Sequence, residues 1–153
     1  MRNDMPTDKP FITNATREEK EAFLTILCTL ANLDGGISPE EIKLIEAIAQ
    51  KMDITLEQRF FNVAPELCFK IARSITTRRL SLELIKYMLA LAYTDKNFSD
   101  SEGVFIGKMS AVLGIEAEKV SEISTWVIDR IIWLEQAVVI FEDYDFDKGE
   151  NNE

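Results

Sequence analysis

The stretch Leu30-Ala31-Asn32-Leu33-Asp34-Gly35-Gly36-Ile37-Ser38-Pro39-Glu40-Glu41 returns 61 residues later as Leu91-Ala92-Tyr93-Thr94-Asp95-Lys96-Asn97-Phe98-Ser99-Asp100-Ser101-Glu102. Each copy reads as a helix end, an Asp-led loop with an apolar residue three positions on, a Ser that caps the next helix, and a Glu in that helix's first turn. Laying residues 23–54 on residues 84–115 also pairs Ile45 with Ile106 and Ile54 with Ile115. It keeps apolar character at Leu24/Ile85, Leu27/Met88, Ile48/Met109 and Met52/Leu113. The chain therefore reads as two similar helical hairpins related by an approximate two-fold.

Helical periodicity extends outward from these corners. Thr16-Arg17-Glu18-Glu19 has the capping-box form, and Phe23, Ile26, Leu27, Leu30 and Ala31 after it lie on one helix face. Ser38-Pro39 opens the next helix, with Ile45, Ile48, Ala49 and Met52 inward. Thr55-Leu56-Glu57-Gln58 predicts a short capped helix that breaks near Ala64-Pro65; Leu67, Ile71 and Ile75 mark another, and Leu80, Leu84, Met88 and Leu91 a longer one. Ser99 restarts the chain with Ile106, Met109 and Leu113 inward. The last helix, about Glu116 to Phe141, carries one stripe of Val120, Ile123, Val127, Ile131, Leu134, Val138 and Phe141 and a second of Trp126, Trp133 and Ile140. The second stripe implies either another layer of the same domain or a homodimer seam through residues 116–141. No segment alternates like a strand. The expected fold is all-α, a single-domain bundle of about seven helices over residues 16–141. It lies between a flexible arm at 1–15 and an acidic disordered tail at 142–153.

Composition narrows the function. The 153 residues hold 17 Lys and Arg against 27 Asp and Glu, a net charge of −10 that repels nucleic acid and anionic lipid surfaces. No histidine is present, which removes imidazole acid–base work, His-activated nucleophiles and His-ligated zinc. A non-enzymatic protein is expected. Cys28 and Cys68 each sit among apolar residues and read as core thiols of a reducing, cytoplasmic compartment. Lys70, Arg73, Arg78 and Arg79 form the one basic cluster, read as a helix end that pairs with acidic neighbours.

The chemistry lies in the two corners. Asp34 and Glu41, like Asp95 and Glu102, stand seven residues apart on either side of a loop that can turn both carboxylates towards one point. Hard oxygen ligands of this kind suit Ca²⁺ or another divalent cation. The spacing matches the second half of an EF-hand loop, but Leu30 and Leu91 stand where the leading Asp belongs, so neither loop is a complete EF-hand. In the other reading of the same residues, the Asp pair stabilises turns and the Glu pair only caps helices.

The doubled run of Leu-Ala, Asp and a Glu seven after the Asp resembles the TerB-like family of tellurite-resistance proteins, which includes the amino-terminal domain of a membrane co-chaperone, over about residues 18–140. The resemblance implies an acidic, all-helical bacterial domain of two pseudo-symmetric halves. It is associated with metal or chemical stress and binds divalent cations through Asp34, Glu41, Asp95 and Glu102. The second loop departs from the pattern with Lys96-Asn97 in place of Gly-Gly and Gly103 in place of an apolar residue. The expectation is a cation-responsive protein-interaction module, docking a protein partner in a peripheral membrane complex. The alternative is a constitutive adaptor or dimeric structural domain without metal.

Overall fold

The computed structural model describes residues 14–94 and 98–142. Among them lie six α-helices: α1 (Arg17–Ala31), α2 (Pro39–Met52), α3 (Pro65–Ile71), α4 (Arg78–Ala92), α5 (Asp100–Val112) and α6 (Ala117–Phe141). Two 3₁₀ turns, Gln58–Phe61 and Ala72–Ser74, complete the set, and the described residues contain no strand. The fold is all-α. The arm at 1–13, Asp95–Asn97 and the acidic segment 143–153 lie outside the described residues; of the expected arm, Ala15 packs on the core.

α1 is the central element. Its residues Ala22 to Ala31 are buried without a break, so the helix is covered on every side rather than on one face. Two threonines inside that run need polar partners, and they find them within their own helix. Thr25 Oγ1 donates to Glu21 O at 2.7 Å, and Thr29 Oγ1 to Thr25 O at 2.8 Å. With the hydroxyls satisfied, Thr25 and Thr29 can pack as apolar residues do. Around α1 stand α2, α3, α4 and both 3₁₀ turns, while α5 packs on α3 and α4, and α6 on α4.

The expected capped helix at Thr55 is a single 3₁₀ turn with no side-chain cap. Burial decides its form: Phe60 is driven into the core beside α1, while Arg59 reaches outward to Glu57 and Glu21. The helix expected through Ile75 ends at Ile71 and gives way to the second 3₁₀ turn, with Ile75 buried in extended backbone after it. Six helices and two turns thus stand where about seven helices are predicted. Among the described residues no helix is long and apolar enough to cross a membrane.

A buried carboxylate joins the two ends of this arrangement. Glu19 completes the Thr16 capping box, taking the Thr16 N–H at 2.9 Å. Its other oxygen accepts from the Thr76 N–H at 3.3 Å and the Thr76 hydroxyl at 3.1 Å, just before α4 begins. Burial alone would raise this carboxyl, but the bonds from Thr16 and Thr76 outweigh it and hold Glu19 below its ordinary value of 4.5. A lowered carboxylate pKa contributes stability that is complete above the ordinary value and is lost as pH falls through the folded one. Glu19→Gln is therefore expected to cost about 1–2 kcal/mol at neutral pH by urea unfolding, with its deficit against the parent shrinking below pH 4.5. A deficit that stays constant into acid would contradict the clasp.

Candidate functional site

The first corner is built by local rules. Asn32 caps the end of α1, and the Gly35 N–H closes a turn on Asn32 O at 3.2 Å with Gly35 in the left-handed region at φ +86°. That conformation strains any residue with a Cβ, which explains the glycine. The chain then extends into Ser38, whose Oγ accepts the Glu41 N–H at 3.1 Å while Glu41 Oε1 accepts the Ser38 N–H at 2.8 Å. The second corner repeats this reciprocal cap: Ser99 Oγ takes the Glu102 N–H at 3.2 Å and Glu102 Oε1 the Ser99 N–H at 2.9 Å. Glu41 is 3% exposed and Glu102 is 5% exposed. Their charge is met by the N–H of the capping serine and by the positive end of the helix dipole.

Asp34 behaves differently. It is exposed, and its Oδ1 accepts the Ser101 hydroxyl at 2.7 Å, a bond from the first corner to the second residue of α5. Ser101 Oγ lies in turn 3.1 Å from Ser99 Oγ. The two corners therefore meet, and Asp34 sits at the amino-terminal end of the opposite hairpin's second helix. The hydrogen bonds connect Asp34 to Ser101 and Glu41 to Ser38; Asp95 lies outside the described residues. Among the described residues no three Asp, Glu or Cys side chains gather as an ion-holding group.

Gly103 also acquires a reason. A Cβ there would stand 3.3 Å from the Phe98 ring, which itself packs at a tilt on Tyr93, 4.8 Å between centroids. Where the first half has Ile37 and Ile42, the second has a larger ring over a bare backbone, so volume is exchanged across the contact.

Two members of the basic cluster, Arg78 and Arg79, pair with acids. Arg78 reaches Glu116 at 2.9 Å, tying α4 to the start of α6, and Arg79 and Lys86 hold the buried Glu83 at 2.9 and 2.6 Å. Cys28 and Cys68 are free, buried thiols. Burial, then the neighbouring Cys68, pushes Cys28 up to about 12, and Cys68, also raised by burial, donates to Thr29 Oγ1 at 3.1 Å. Both are chemically quiet at neutral pH.

No family model, curated protein or solved structure matches the chain.

The most unusual surface lies on α6. This helix has 25 residues, about 37 Å, against 15 residues, about 22 Å, for α4 on which it packs. Val127 is its one buried residue, with Val120, Ile123 and Ile131 half-buried beside the core. The same stripe continues as Leu134, Val138 and Phe141, yet exposure climbs from 4% at Val127 to 76% at Phe141. The second stripe, Trp126, Trp133 and Ile140, is exposed throughout. Past Ile131 the helix has outrun the body beneath it, leaving Ile132, Val139 and the two stripes bare together.

The two corner glutamates carry a plain stability expectation. Glu41→Ala and Glu102→Ala should each lower the free energy of urea unfolding by about 1 kcal/mol through loss of the reciprocal cap. Unchanged stability in both would show that the caps contribute nothing.

Proposed function

We propose that this chain is a non-enzymatic helical interaction module of the TerB-like type, working in the cytoplasm and docking protein through the exposed half of α6. One observation carries the reading: eight large apolar side chains of α6, from Trp126 to Phe141, stand in the open. Contiguous apolar surface on this scale marks an interaction site far more often than an idle face. The lack of histidine and the buried, raised thiols leave the chain without an imidazole base or a ready thiolate, which favours a binding role over a catalytic one. A photo-reactive benzophenone residue at Trp133 should crosslink to protein in living cells, whereas the same residue at Val104, exposed on α5, should not. Equal yields, or none at Trp133, would contradict the module.

A second reading, divalent-cation response, is favoured by the bond that brings Asp34 to the start of α5. An ion there would be held by Asp34 with hydroxyl oxygen from the start of α5 and would supply a clamp between the two corners. The filled caps at Glu41 and Glu102 make it the lesser reading. Titrating Ca²⁺ into the protein by calorimetry separates the two. No saturable heat and an unchanged melting temperature in chelator are expected, while saturable binding abolished by Asp34→Asn would establish the cation response.

A further inference from the structure

From the overhang of α6 we infer that its occupant is a second copy of this chain. The two helices would lie antiparallel across a two-fold axis near Gln136 and Ala137. The inference rests on the docking role proposed above and names the partner.

Three observations point to this occupant. The first is shape. α6 follows its own body only as far as Ile131, then runs on for ten residues, about 15 Å, with nothing beneath the stripe of Leu134, Val138 and Phe141. Two such overhangs laid stripe to stripe and head to tail interlock. Phe141 of each copy reaches the edge of the other's body near Ile131, and each body fills the space past the other's tip. Parallel stacking would bring the two bodies onto the same side, where they compete for that space. An isologous pair of this kind uses one patch twice and closes on itself.

The second observation is area. Taking aromatic side chains at about 150–250 Å² each and the aliphatic ones somewhat smaller, the exposed fractions from Trp126 to Phe141 leave on the order of 900 Å² of apolar surface on one copy. A stable two-protein interface buries about 800 Å² per partner. That total is the whole exposed apolar surface of the helix, of which the seam takes the side of Leu134, Val138 and Phe141, and it exceeds the largest patch of an ordinary monomer, about 300–600 Å².

The third is charge. Between Trp126 and Phe141 the charged residues are Asp129, Arg130 and Glu135, a sum of −1, so the patch itself carries little self-repulsion, half of the chain's net charge of −10 following it in residues 142–153. With Arg130 as its one cation, the segment lacks the Lys and Arg by which interfacial helices hold anionic lipid, which sets a membrane surface below a second copy.

Sedimentation equilibrium of the full chain between about 1 and 100 µM should give twice the 17.5 kDa monomer mass at the upper concentrations. Val138→Glu with Phe141→Glu should return the monomer mass at every concentration with an unchanged helical circular-dichroism signal, because both residues are exposed and support no core. Val104→Glu, also exposed but on α5, should leave the dimer intact. A wild-type monomer at 100 µM, or a dimer indifferent to the double substitution, would overturn the pairing. A monomer whose Trp133 benzophenone still crosslinks a different protein removes the second copy and keeps the docking role; a monomer with no crosslink removes both.

Discussion

Everything in this fold is arranged around a helix that must be covered on all sides. α1 buries ten consecutive residues, Ala22 to Ala31, so it must be surrounded by α2, α3, α4 and the two 3₁₀ turns. Its two threonines satisfy their hydroxyls on the preceding helical turn, which removes the cost that would otherwise bar polar residues from such a position. Its first turn is fixed by Glu19, which caps Thr16 and reaches across to Thr76 at the entry to α4. Once α1 has taken the centre, α4 becomes the second layer, and α6 can only pack on the outer side of α4.

That placement turns a length difference into a surface. A 25-residue helix laid on a 15-residue one must run past it, and in the part that runs past here eight of the ten residues 132–141 are hydrophobic. The stripe at Leu134, Val138 and Phe141 continues the one that packs at Val127 and Ile131, so these residues have the spacing of core residues without a core of their own. The acidic corners show the opposite economy. Each buried Glu already has its amide partners, and Asp34 has a hydroxyl from the facing hairpin, so the local negative charge is spread over hydrogen bonds and helix ends.

Local chemistry was legible in the sequence where local chemistry decides. The capping boxes at Thr16, Ser38 and Ser99 all form, because each needs only a hydroxyl, a Glu three residues on and a helix to begin. The box at Thr55, with Gln58 where the others have Glu, does not form, since burying Phe60 against the core outweighs a cap on a short segment. α1 reads as one-faced because Thr25 and Thr29 count as polar, and a sequence pattern does not show that their hydroxyls turn inward onto the helix. The link from Asp34 to Ser101 joins residues 67 apart and depends on tertiary packing, so spacing carries no trace of it, while the fit of Phe98 over Gly103 within one corner shows in the sequence only as an odd glycine. The double stripe of α6 was visible. What it lacked was the length of its neighbour, which decides where burial stops.

Hydrogen exchange of the backbone amides reads the central point directly, because a helix without a layer beneath it opens more easily than one enclosed by the core. With the protein dilute, amides of residues 132–141 should exchange far faster than those of residues 22–31. On concentration, the 132–141 set should slow while the α1 set stays as it was. Exchange in 132–141 that is as slow as in α1 even at high dilution, or fast at every concentration, would contradict an α6 surface that is bare alone and covered in company.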